Sequence, residues 1–145
     1  MMPRFVMFVR ASVDSEGDVK PAPEDFEKMS SYNSSLVDAG ILQFGEGLLS
    51  SSHDSYRITF HNSEPPTVLP GPFPHNELVC GMWVIKVKDA TEALSWARKC
   101  PFKNGGRIEL RRIAELEDFG DAVSPEVQEK EAKMRKIVAE LAKGE

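Results

Sequence analysis

Pro70-Gly71-Pro72-Phe73-Pro74-His75-Asn76-Glu77-Leu78 runs directly into Val79-Cys80-Gly81-Met82-Trp83-Val84-Ile85. Three prolines and a glycine in the first five residues exclude a helix or a central strand there. Proline lacks a backbone donor and its φ is fixed. The second half is β-branched and aromatic and reads as a buried strand. A rigid turn therefore feeds a core strand and carries His75 and Glu77 at its exit. The mouth of that strand is the first place to look for chemistry.

Upstream of the turn, Thr67-Val68-Leu69 is a short strand, and residues 61–66, with Pro65-Pro66, form a turn. Tyr56-Arg57-Ile58-Thr59-Phe60 alternates and reads as another strand. Ser50-Ser51-Ser52-His53-Asp54 is a turn. Ile41-Leu42-Gln43-Phe44 starts a strand that continues into Gly45-Glu46-Gly47. Phe26, Met29, Tyr32 (or Asn33), Leu36 and Val37 recur at helical spacing. The helix runs from about residue 23, with acids in its first turn, to Ala39, and Gly40 stops it. Residues 11–22 read as a loop, and Arg4 to Arg10 as the first strand with Phe5, Met7 and Val9 on one face.

Downstream, Asp89 caps a second helix whose apolar face is Ala93, Leu94, Trp96 and Ala97, and Cys100-Pro101 ends it. Residues 107–113 form the last strand. Residues 114–123 are a linker. Ser124-Pro125-Glu126 opens a third helix with a narrow stripe of Val127, Met134, Val138 and Leu141. Strand–helix–strand grammar occurs twice, so the class is α+β with a ferredoxin-like βαββαβ core. Residues 1–113 form that domain. Residues 114–145 add a helical extension packing on the domain or on a dimer partner. Two helices cover one face of the sheet, and a second copy is the simplest cover for the other, which predicts a homodimer.

The bulk figures narrow the partners. A chain of 145 residues with 41% hydrophobic and 28% charged residues reads as one core-forming domain. A net charge of -5 argues against nucleic acid and anionic membrane partners. No apolar run reaches the roughly 18 residues a span requires. The apolar N-terminus is interrupted by Arg10 and reads as a strand rather than a signal peptide. Cys80 and Cys100 sit in no metal-type spacing and read as free thiols of a cytoplasmic protein. His53 and His61 lie in separate turns, and no phosphate-binding or dinucleotide motif occurs, so neither metal nor cofactor is expected.

Several strings, in order, carry a family resemblance: Tyr32-Asn33 with Leu36, Ala39-Gly40-Ile41-Leu42, Gly45-Glu46-Gly47-Leu48, Gly71-Pro72-Phe73, Gly81-Met82-Trp83-Val84-Ile85-Lys86-Val87, Glu92-Ala93-Leu94-Ser95-Trp96, Lys99-Cys100-Pro101, Ile108-Glu109-Leu110-Arg111 and Glu117-Asp118-Phe119-Gly120. Together they resemble the YCII-related family, in the branch named for an Asp-Gly-Pro-Phe (DGPF) motif. The resemblance implies a ferredoxin-like fold that dimerises into an α/β barrel. Most members have no established activity, many are uncharacterised small proteins or sit beside transcription sigma factors, and one related branch is a dehydrochlorinase of chlorinated hydroxyquinols. This chain departs from the pattern where chemistry would sit. Pro70 replaces the motif aspartate, and the segment Pro74-His75-Asn76-Glu77 is one residue shorter. The wider family's helix-one histidine has no counterpart near Met29. A mechanism resting on a His–Asp pair does not carry over.

Three constellations remain. His75 and Glu77, two apart on an extended segment, read either as an acid–base unit or as the solvated rim of a turn. Glu46 between two glycines reads either as a base beside a close backbone approach or as an acid paired with Arg10 or Arg57. Arg10, Arg57, Arg107 and Arg111 read either as an anion-holding set, with Asn33 as an added amide, or as exposed strand charges paired with Glu109. The expected function is binding of a small anionic or phenolic molecule in a pocket between sheet and helix. The alternatives are a lyase- or cyclase-type proton transfer by Glu46 or by His75 and Glu77, and a structural homodimer.

Overall fold

The computed structural model describes residues 1–144, and their contacts divide into two units, 1–113 and 114–144. The first unit is α+β. Its strands are β1 (Arg4–Arg10), β2 (Leu42–Gly47), β3 (Tyr56–Thr59), β4 (Thr67–Pro70), β5 (Val79–Lys86) and β6 (Ile108–Arg112). Its helices are α1 (Val13–Glu16), α2 (Pro23–Asp38) and α3 (Ala90–Ala97). Four strands make one antiparallel sheet in the order β2-β5-β1-β6, compatible with a ferredoxin-like core. The strand after the proline turn, β5, lies inside that sheet with a partner on each side.

Sheet alternation decides what the helices cover. Trp83 stands opposite Met7 and Ile85 opposite Phe5, so these four share one face. Tyr32 and Leu36 of α2 and Ala93 of α3 close the core over them, with Ile41 and Val87. Met7, Leu36, Ile85 and Val87 are fully buried. Burial of side chains of this size stabilises by about 1.5–3 kcal/mol each. The Tyr32 hydroxyl donates to the Trp96 carbonyl at 2.8 Å, and its ring meets Trp83 edge-on at 5.3 Å between centroids. That bond ties α2 to α3 across the core and satisfies a buried phenol. The opposite face carries Val6, Phe8, Met82 and Val84, by the same alternation.

Local chemistry explains the ends. Gly40 takes φ +72 just after α2, a value that a Cβ resists. The Asp89 carboxylate accepts from the Glu92 N–H at 2.9 Å and caps α3. The loop expected over 11–22 holds one helical turn, α1. Ser12 caps it, and the Ser15 hydroxyl accepts in return from the Ser12 N–H at 2.8 Å. Strands β3 and β4 pair only with each other, as a hairpin between β2 and β5.

The second unit holds a short 3-10 segment over Leu116–Ala122, broken at Gly120, and helix α4 (Pro125–Lys143). Ser124 caps α4 by accepting from the Val127 N–H at 3.2 Å. Val127, Met134, Ile137, Val138 and Leu141 are all exposed along it. No helix among the described residues is long and apolar enough to cross a membrane.

Candidate functional site

A cavity of about 400 Å³ lies between α2 and the edge of the sheet formed by β2 and β5. Its floor is nearly free of side chains. Gly47 stands opposite Gly81, and Gly45 opposite Trp83, across the β2–β5 ladder. A Cβ at Gly47 would meet nothing within 4 Å, so the space above it is open. At Gly45 a Cβ would come within 2.9 Å of the Trp83 indole, so that glycine lets the ring lie on the strand. Met29 and Asn33 from α2, with Val9, Pro21, Trp83 and Phe102, line the rest. Apart from Glu46 and Cys80 at its border, the walls are apolar except for one amide.

That amide has a fixed orientation. The Trp83 Nε1–H donates to Asn33 Oδ1 at 2.8 Å. An indole nitrogen only donates, so the oxygen of Asn33 must face it. Both amide N–H groups are then left for a ligand, since no protein acceptor takes them among the described residues. The pocket thus offers hydrogen-bond donors, an aromatic wall and a flat floor. This favours a planar molecule carrying an acceptor oxygen.

Glu46 borders the same cavity, but alternation turns its side chain away from Gly45 and Gly47 and onto the face of Met82. It pairs with neither Arg10 nor Arg57 among the described residues. His75, Asn76 and Glu77 form one 3-10 turn, not the extended segment expected, so side chains two apart no longer share a side. The cause is the preceding proline turn: the Leu78 N–H closes back on the His75 carbonyl at 3.1 Å. Glu77 accepts instead from Arg57 Nη2 at 2.9 Å, and the Arg57 guanidinium lies 4.2 Å over the Phe73 ring.

Of the four arginines, Arg10 and Arg57 meet this turn. Arg10 Nη2 donates to the Asn76 carbonyl at 2.6 Å. Arg111 lies on β6 opposite Val6 and pairs with Glu109 at 3.6 Å. Neither these three nor His75 and Glu77 line the glycine-floored cavity; Asn33 does. Trp83, Met29 and Phe102 were not read as pocket residues. An indole in an apolar strand is indistinguishable from core until its neighbours are known. The glycines at 45 and 47 were the legible signal.

Two further groups lie near. Cys80 borders the cavity, and burial pushes its thiol above the ordinary range; burial does the same to Cys100. The serine turn does more than reverse the chain. Ser50 and Ser51 are buried. The Ser51 N–H donates to Glu16 Oε2 at 2.9 Å, its hydroxyl donates to the other carboxylate oxygen, and that hydroxyl accepts from the Phe73 N–H at 2.9 Å. Asp18 is held below its usual range, first by the Ser50 hydroxyl and then by His53, whose Nε2 lies 3.2 Å away.

Comparison with known proteins adds one finding. The family model for the YCII-related domain matches residues 5–117, the span that contains the sheet, both covering helices and the cavity. No curated protein matches the chain.

Proposed function

The chain belongs to the YCII-related domain family, and we propose that its glycine-floored cavity binds a small planar molecule, anionic or phenolic. The observation that carries this is Asn33. Trp83 takes its oxygen at 2.8 Å, and its two N–H groups remain for an acceptor such as a carboxylate or phenolate oxygen. The cavity of about 400 Å³ suits a single substituted ring. Binding is favoured over proton transfer. The titratable residues bordering the cavity are Glu46, whose side chain alternates to the other face, and Cys80, a thiol that burial keeps protonated.

The same reading includes a cytoplasmic homodimer closing into a barrel. Its support is the sheet face of Phe8, Met82 and Val84, half-buried in the single chain and away from the core under α2 and α3. Gly71-Pro72-Phe73 supports placement in the DGPF branch.

The test is a titration of the ¹⁵N-labelled protein with benzoate, phenol and cyclohexane carboxylate, followed by NMR. Benzoate and phenol are expected to shift the Trp83 indole N–H and the Asn33 amide, and to leave the Trp96 indole unmoved. Asn33→Asp keeps an oxygen for Trp83 but removes the donors, and is expected to abolish the benzoate response. Gly47→Val, which fills open space, is expected to block every probe. Shifts confined to the Arg10 and Arg57 turn would overturn the pocket assignment.

A further inference from the structure

A second cavity, of about 550 Å³, adjoins the glycine-floored one. Pro21, Met29 and Phe102 border both, so the two share a wall. The Phe102 ring also lies 6.2 Å from that of Trp83, which carries the aromatic wall of the first cavity toward the second. Met29 is the part of the boundary able to yield, because an unbranched thioether chain repacks readily. Helix α2 sets the spacing. Phe26, Met29 and Asn33 are three and four residues apart, hence on one face. Asn33 borders the first cavity, Met29 both, and Phe26 the second. Asn33 and Phe26 are thus separated by about 10 Å of helix axis.

Val19 and Phe26 line the second cavity and are 59% and 62% exposed although both are apolar. Single exposed apolar residues are ordinary, but two lining one hollow beside Pro101 and Phe102 form a groove that a ligand covers. The charged residues around it balance, Lys20 and Lys103 against Asp14 and Asp25. Asp25 is already engaged, by the Ala22 N–H at 3.0 Å and by Lys103 at 3.5 Å. The loop wall is held at both ends. Glu16 accepts from the Ser51 N–H at 2.9 Å and Asp18 meets His53 at 3.2 Å, which ties the segment before Val19 to the serine turn. The Ala22 bond to Asp25 ties its other end to α2. We infer that the ligand is a ring carrying a short alkyl chain on the edge opposite its acceptor oxygen. The oxygen meets the Asn33 amide, the ring lies against Trp83, and the chain passes Met29 and covers Val19 and Phe26. A ring with a four-carbon chain matches the span from Asn33 to Phe26. The balanced charges select no charged group at the end of the chain.

This inference rests on the ring-binding reading, and the choice of probes separates the two. Dissociation constants of benzoate and 4-butylbenzoate are measured by NMR titration of the ¹⁵N-labelled full-length chain. Burying one methylene is worth roughly three- to fourfold in affinity, so 4-butylbenzoate is expected to bind about tenfold tighter or more. It is expected to shift the Trp83 indole N–H as benzoate does, with nuclear Overhauser contacts from its butyl protons to the Phe26 ring. Phe26→Ser with Val19→Ser, both at exposed positions, is expected to cut the ratio of the two constants by about fivefold or more. The amide spectrum checks that the variant is folded. Benzoate binding at Trp83 with no gain from the chain overturns the inference and leaves the ring-binding reading standing. A gain that survives the double variant also overturns it, since the chain then lies elsewhere. If 4-butylbenzoate moves the Val19 and Phe26 amides and neither probe moves the Trp83 indole, the inference and the ring-binding reading both fall. Binding of neither probe overturns both as well.

Discussion

At Gly71 the proline turn touches the serine turn so closely that only a hydrogen fits. A Cβ there would lie 1.9 Å from the Ser51 carbonyl oxygen and 2.9 Å from its carbon. Ser51 cannot yield, because Glu16 and the Phe73 N–H hold it on both sides. Gly71→Ala is therefore expected to cost at least about 3 kcal/mol, the range of overpacked or broken buried networks. Gly47→Ala meets nothing and is expected to stay within about 0.5 kcal/mol of wild type. Chemical denaturation of both variants checks the contrast, and equal costs would contradict the packing described. The glycine was legible as a turn residue. Its partner was not, because Ser51 is twenty positions away and only folding brings it there.

At the scale of elements, Arg57 links the hairpin to the turn that follows it. Arg57 both pairs with Glu77 and lies over Phe73. These groups are about half exposed, so solvent screens the pair. Arg57→Ala is expected to cost only about 0.5–1 kcal/mol globally. Its larger effect is local: exchange of the backbone amides from Tyr56 to Leu69 is expected to accelerate while that of β1 and β5 does not change. Hydrogen exchange resolved by residue measures this, and uniform acceleration would show that the hairpin is not separately anchored. The alternation of 56–60 announced a strand. That Arg57 meets Glu77 depended on the 3-10 turn that positions Glu77, and this turn follows from proline geometry that periodicity does not reveal.

Across the whole molecule, buried protonated groups set how stability responds to alkali. Burial raises the thiols of Cys80 and Cys100, and burial followed by Cys100 raises the Tyr32 phenol. In the unfolded chain the thiols ionise from about pH 8.5. Above that the unfolded state has released protons that the folded state still holds, so stability falls as pH rises. The contribution is fully present below the unfolded value and is lost going upward. The urea midpoint is expected to be flat from pH 7 to 8 and to decline toward pH 10, with Cys100→Ala reducing the slope. A midpoint that rises over that interval would contradict the burial of these groups.

The sequence by itself determined the strands and the two covering helices of the sheet unit, and their class. Period-two and period-3.6 apolar patterns, proline, glycine and capping residues act over a few positions, so they can be read from one chain. The same is true of the anticipated glycine-flanked approach at 45–47, which rests on a missing side chain. Tertiary structure decided which groups meet. It placed Asn33 against Trp83, fifty positions on, and joined Glu77 to Arg57 rather than to His75. Hydrogen bonds and ion pairs are selected by distances of about 3 Å in space, and sequence spacing constrains such distances only within a single element.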